Sequence, residues 1–312
     1  MKPVLVSGSL AYDRIMDFPG LFKDHFLADA LHNINVSFLV NAPGEQFGGC
    51  AGNIAYSLAL AGGTPEVIAM AGCDFAKYEE WLSKNGVGVA ALKTLPDRAT
   101  SSAYIITDSA DNQIAAFSPG AGGELYDLPI DATRYELAIV GPADTRNMMA
   151  VVRAARAGNI PYLFDPGQQI PALSAEDMRE AVETADGLLV NDYELKMVME
   201  KTGWSEADIV SKVGFLIVTL GKDGSRILTK GGEERVAAVS VENAIDPTGA
   251  GDAFRSGFIR ARTAGLPLPV CAKLGSAVAA YAVECYGTQN HRFTLPELKA
   301  RYESAYNESL PI

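Results

Sequence analysis

Short apolar runs that read as strands alternate with helical stretches along most of this chain, and that alternation constrains the fold more than any other feature. The runs lie at 4–8, 67–72, 137–141, 162–165, 187–191 and 215–220. Strands separated by helices predict a parallel sheet covered on both faces. A chain of 312 residues is long enough for one large α/β domain, with or without a small appendage. Polar or turn-forming residues follow the runs: GPAD from Gly141, FDPGQ from Phe164, NDYE from Asn191 and TLGKDG from Thr219. Open α/β sheets bind ligands at that carboxyl edge, so the chemistry is expected there.

Two stretches break the alternation. Residues 12–43 hold short β-like pieces such as NVSFLV at 35–40, and 100–118 reads as a hairpin turning near 108–112. They predict a small second sheet, either a lid over the sheet edge or a bare edge hairpin. Farther on, SRILTKGGEERVAAVSV reads as another hairpin, and 266–286 and 295–306 read as helices. No internal repeat or low-complexity segment interrupts the pattern.

Composition narrows the function. A formal net charge of −12 argues against a nucleic-acid surface, which needs clustered Lys and Arg. Although 48% of residues are apolar, no run is long enough to span a bilayer and MKPVLVSGS enters a strand pattern directly, so a cytoplasmic protein is expected. Cys50, Cys73, Cys271 and Cys285 form no close pairs, and His25, His32 and His291 complete no zinc-type cluster with them.

Residues 246–254 read DPTGAGDAF, a glycine-rich turn running into an apolar helical pattern. Gly249 and Gly251 let the backbone turn tightly with its amides converging, and the free amides of a helix start attract an anion. Asp252 in the same turn opposes an anion, which makes sense if it takes a proton from an attacking hydroxyl. Aspartate after glycine is also ordinary N-cap chemistry. Upstream, GGCAGN (48–53) opens a run of small residues, which suits either close ligand approach or tight packing on the sheet. Asp13 follows the first strand, placed to accept hydrogen bonds from vicinal hydroxyls or to cap a turn. NDYE (191–194) offers hard oxygen ligands or an asparagine cap, and TLGKDG (219–224) is a glycine-punctuated turn. GxGxxG, Walker A, HRD and GxSxG patterns are all absent.

The segment DPTGAGDAF closely resembles the C-terminal signature of the ribokinase-like (PfkB) sugar and nucleoside kinases, with Pro247 standing where that family usually has threonine. The resemblance extends through Asp13, GGxxxN, NxxE and TxGxxG in that order and covers nearly the whole chain. It implies an α/β, ribokinase-like, mainly parallel sheet flanked by helices, with a β lid made of 12–43 and 100–118 over a core of 1–11, 44–99 and 119–312. It implies Asp252 as catalytic base with Gly249, Ala250 and Gly251 as anion hole. Asp13, Gly48, Gly49 and Asn53 would hold the acceptor's hydroxyls. Asn191, Thr219, Gly221, Gly224 and Asn290 would meet ATP, Glu194 would hold Mg²⁺ through water, and Asp246 would hold a potassium-type ion. SLAYDRIM, NVSFLV, FGGCAGNIAYSLALAGG, FDPGQ and DPTGAGDAFRSG are most similar to bacterial and archaeal nucleoside kinases of the adenosine kinase type. For such an acceptor Phe38, Ile114, Phe117, Gly167 and Gln168 are the expected base contacts. A sugar kinase of the ribokinase or fructokinase type, or a catalytically silent sensor of the same fold, would share this skeleton. Expected partners are therefore a small acceptor and ATP, with neither nucleic acid nor membrane, on a monomer or homodimer.

Overall fold

The computed structural model describes residues 2–26, 35–41, 44–110 and 112–312. Its strands begin with β1 (Val4–Ser7), β2 (Ala11–Asp17), β3 (Gly44–Gly48), β4 (Pro65–Gly72), β5 (Gly88–Leu95), β6 (Ser101–Thr107) and β7 (Gln113–Ser118). They continue with β8 (Leu137–Val140), β9 (Tyr162–Phe164), β10 (Gly187–Asn191), β11 (Phe215–Thr219), β12 (Ser225–Thr229) and β13 (Gly232–Val236). The helices are α1 (Cys50–Leu60), α2 (Ala76–Lys84), α3 (Thr145–Ala157), α4 (Ala175–Thr184), α5 (Asp192–Thr202), α6 (Glu206–Lys212), α7 (Ala250–Thr263), α8 (Leu268–Val283) and α9 (Leu295–Tyr306).

The larger sheet runs β13-β12-β11-β10-β9-β8-β1-β4-β5. It is parallel from β11 to β5, and the β12–β13 hairpin adds its two antiparallel strands at the other edge. Successive strand residues point to opposite faces. Val4 and Val6 thus join a core with α1, α2, α7, α8 and α9, while Leu5 joins a second core with α3 to α6. The apolar runs are near-continuous because both faces are covered. Strand order reverses at β1, which lies between β4 and β8, and a crevice opens outside the carboxyl ends at such a switch point. None of the described helices is long and apolar enough to cross a membrane.

The small sheet has the order β3-β2-β6-β7. Its outer pairs are antiparallel and its central β2–β6 pair is parallel. It includes Gly44–Gly48, a segment the sequence reading placed in the core. One further expectation needs correction, and one strand had no sequence signal. Residues 35–40 form no strand: Phe38 instead packs against Phe18, Phe22, His25 and Phe26, with ring centroids 4.9–6.2 Å apart. Strand β5 went unrecognised, because as an edge strand it is only half-buried and its residues show no clean alternation.

Candidate active site

Helices α1 and α7 start side by side at the sheet edge, each from a glycine with positive φ: 87° at Gly49 and 77° at Gly249. A side chain at Gly49 would stand 2.6 Å from the Ser9 carbonyl, and one at Gly249 would stand 3.0 Å from Thr288 Cγ2. Only glycine suits both conformation and space. The two helix starts are then finished differently. Ser9 accepts from both leading amides of α1, through its Oγ from Cys50 (3.2 Å) and through its carbonyl from Ala51 (3.0 Å). At α7 the Ala250 amide closes a turn onto the Pro247 carbonyl (3.2 Å), and no described acceptor takes the Gly251 or Asp252 amide. Of the two helix starts, that of α7 is therefore the one left open.

Asp252 occupies the first turn of α7, half-buried, and its Oδ2 accepts from Asn53 Nδ2 at 2.9 Å. Burial raises its carboxyl above the ordinary range; Arg255 and the Asn53 amide oppose that rise and Glu194 adds to it. Asp13 faces the same space from β2. A side chain at Gly48 would stand 2.2 Å from Asp13 Oδ2, so this glycine makes room for the carboxylate. Burial, and then the charges of Asp252 and Asp246, push Asp13 up to about 6. Asp13, Gly48, Gly49, Asn53 and the Gly249–Asp252 turn are thus assembled at one place.

A cavity of about 540 Å³ opens at the switch point and reaches the start of α1 at Ser9. Ser9, Met70, Phe117, Tyr126, Pro142 and Gln168 are among its lining residues. Gln168 also lies 3.8 Å from Cys50 Sγ at the start of α1. Phe38 and Ile114 are not among the cavity's residues: Phe38 belongs to the aromatic cluster above, and Ile114 stands exposed on β7. Gly167 has φ 44°, and a side chain there would meet Pro142 Cγ at 2.5 Å, so its smallness serves the loop's own packing.

On the other side, Asn191 and Thr219 end neighbouring strands in register. Asn191 and Glu194 form a reciprocal capping box on α5, at 2.7 and 2.8 Å. The charge of Glu194 is felt at Asp165, Asp252 and Arg255. Gly221 and Gly224 shape the turn into β12 with φ of 58° and 90°, and Gly224 lies so close to the Val236 carbonyl that no side chain fits. Asp246 accepts from the Thr248 and Gly287 amides at 2.9 Å each, stapling the turn before α7 to the loop after α8. Asn290 is exposed and donates to Gln46 on β3 (3.2 Å) and to the Tyr286 carbonyl (2.8 Å).

Two groups absent from the sequence-predicted site stand beside Asp252 and Asn53. Arg255 Nη2 donates to Asp165 Oδ1 at 2.7 Å, and its Nε lies 2.5 Å from Oδ2 in a buried ion pair. Burial pushes Asp165 up to about 7 against the pull of Arg255. Burial also works against the Arg255 charge, but Asp165, Asp252 and Glu194 outweigh it and hold the guanidinium protonated. The signal was available: Arg255 lies one helical turn after Asp252, and Asp165 stands in FDPGQ at a strand's carboxyl end. The second group, Gln289 with Tyr78 and Trp81, has no motif to announce it.

Residues 5–294 match the pfkB family of carbohydrate kinases. The chain is 38% identical to the Burkholderia thailandensis nucleoside kinase solved with inosine, with a TM-score of 0.85 over 98% of this chain and 99% of that one. The same enzyme with ADP-inosine gives 39% identity and a TM-score of 0.83 over 98% and 97%. A nucleoside kinase of Methanocaldococcus jannaschii is 30% identical over 89% of this chain and 95% of its own length. With its parallel sheet, its small second sheet and its open GAG turn, the chain belongs to the pfkB carbohydrate kinase family.

Proposed function

We propose that the protein is an ATP-dependent nucleoside kinase that phosphorylates the ribose 5′-hydroxyl. The cavity of about 540 Å³ at the switch point, which meets the start of α1 through Ser9 and Gln168, carries the reading. A free sugar needs only hydroxyl partners, whereas this space lies beyond them and offers Phe117, Met70 and Pro142 as apolar cover with Gln168 as a polar group for a base edge. The likeness to an enzyme solved with inosine supports the same acceptor class.

In this reading Asp13 accepts hydrogen bonds from the ribose hydroxyls, Asp252 takes the 5′-hydroxyl proton, and the amides at the start of α7 stabilise charge on the transferred phosphoryl group. The small sheet, as a lid, excludes water that would otherwise accept the phosphoryl group. ATP lies toward Asn191, Thr219 and Gly221. Mg²⁺ fits the donor set there: Glu194 spends one oxygen on its capping box and keeps the other free, and Mg²⁺ typically takes one or two carboxylates plus phosphates and water. When bound it supplies charge neutralisation to the donor phosphates. A potassium-type ion beside Asp246 belongs to the same proposal, and turnover in potassium-free buffer tests it.

Steady-state kcat/KM with ATP across adenosine, inosine, guanosine, cytidine, ribose and fructose tests the assignment. Purine ribonucleosides are expected to give the highest values. A free sugar at the top would remove the nucleoside assignment and leave the kinase, and no turnover with any acceptor would favour a sensor.

A further inference from the structure

Gln289 is buried to 2% exposure behind the reacting groups, and its two ends are bound in opposite senses. Its Oε1 accepts from Trp81 Nε1 at 3.1 Å. Its Nε2 donates to Tyr78 Oη (2.5 Å) and to Asn53 Oδ1 (3.0 Å). Tyr78 in turn donates to the Gly48 carbonyl at 2.8 Å.

The polarity of this chain is decided at one end. An indole N–H only donates, so it fixes which end of the Gln289 carboxamide is the oxygen. The amide end must then face Asn53, Asn53 must present Oδ1 to it, and Nδ2 is left for the Asp252 carboxylate. We propose that Trp81 and Gln289 are positioning residues that orient the Asn53 carboxamide so that its Nδ2, not its Oδ1, faces Asp252. The reversed amide would set an oxygen lone pair against the carboxylate, which favours the protonated acid over the base. Gly52 belongs to the same arrangement, since a side chain there would stand 1.9 Å from Tyr78 Oη and 3.0 Å from Gln289 Nε2. This gives the third glycine of GGCAGN a purpose: it admits the pair that aims Asn53.

The inference rests on Asp252 as the base. The charged and titratable groups facing Asp252 are Arg255 on its own helix, Glu194 on α5, Asp165 after β9, Asp13 on β2, Cys50 on α1 and Tyr78 on α2. Of these only Tyr78 touches a residue substituted in the relay, and burial keeps its phenol protonated, so it adds no charge of its own. The test is the acid limb of kcat for inosine phosphorylation in Gln289→Glu, Gln289→Met, Trp81→Phe and Asp252→Asn. Glutamate at 289 accepts where glutamine donated and so turns Asn53 over, and the limb is expected to move to higher pH by about one unit. Methionine and phenylalanine release the relay without adding charge, and each should move the limb the same way by about half a unit. In all three, kcat should recover toward wild type at alkaline pH, which a merely damaged fold would not do. A limb at the wild-type position in both neutral variants overturns the relay, because any shift in Gln289→Glu would then be its charge alone. Near-wild-type turnover in Asp252→Asn would instead overturn the base, so the two failures are distinguishable.

Discussion

Helices α1 and α7 begin from the same kind of residue and are put to opposite uses. Gly49 delivers the chain into a helix whose leading amides are already taken by Ser9, so what α1 offers the site is a side chain, Asn53. Gly249 delivers it into a helix whose Gly251 and Asp252 amides are left without described partners, so what α7 offers is its backbone together with Asp252. A glycine at a helix start therefore does not by itself mark an anion site. What occupies the first amides decides.

If α1 is the closed and anchored member, its support should dominate stability. His291 is 1% exposed, lies 3.1 Å from Ser57 Oγ on α1 through Nε2, and is lowered by burial to about 4. An unfolded histidine titrates near 6.5, so the unfolded chain binds the proton first. The stability His291 contributes is full above that pH and is lost as pH falls toward 4, in total on the order of 3 kcal/mol. Thermal melts of His291→Phe should show a flatter acid slope over that window than wild type, and parallel slopes would remove the histidine from the account.

If α7 is the open and catalytic member, strain at its start should appear in turnover. Gly249→Ala forces a side chain into φ 77° and against Thr288. A loss in kcat of roughly tenfold or more is expected as the amides leave their alignment. Steady-state kinetics with saturating ATP and inosine would contradict the comparison if only the melting temperature changed.

The smallest effect belongs to the closure of α1. Ser9→Ala removes the hydroxyl acceptor of the Cys50 amide but keeps the carbonyl that holds Ala51, so urea unfolding should show a loss of about 1 kcal/mol. No measurable loss would mean that solvent caps α1 equally well.

Much of this was legible in the sequence. The strand at 187–191, the helix at 295–306 and the hairpin read at 225–241, whose strands end at Val236, announce themselves through apolar patterning and turn residues, which act over a few neighbouring positions. The GAG turn was legible because backbone geometry demands glycine there. What stayed hidden depends on contacts between distant segments. The sequence points to Asn53 as a ligand for the acceptor alone, yet it also donates to Asp252 and accepts from Gln289, 199 and 236 positions away. Strand β5 is an edge strand with weak patterning, and Phe38 found aromatic neighbours where a strand partner was expected. The Arg255–Asp165 pair spans 90 positions, so each residue stood at a suggestive place while their pairing did not show.

The most direct test of the central claim is Asp252→Asn, assayed in single turnover with inosine and ATP alongside calorimetric binding of inosine. The substitution keeps shape and removes proton acceptance, so the phosphoryl-transfer rate should fall by about two orders of magnitude or more while inosine affinity stays near wild type. A transfer rate close to wild type would show that Asp252 only caps α7 and that the reaction finds its base elsewhere.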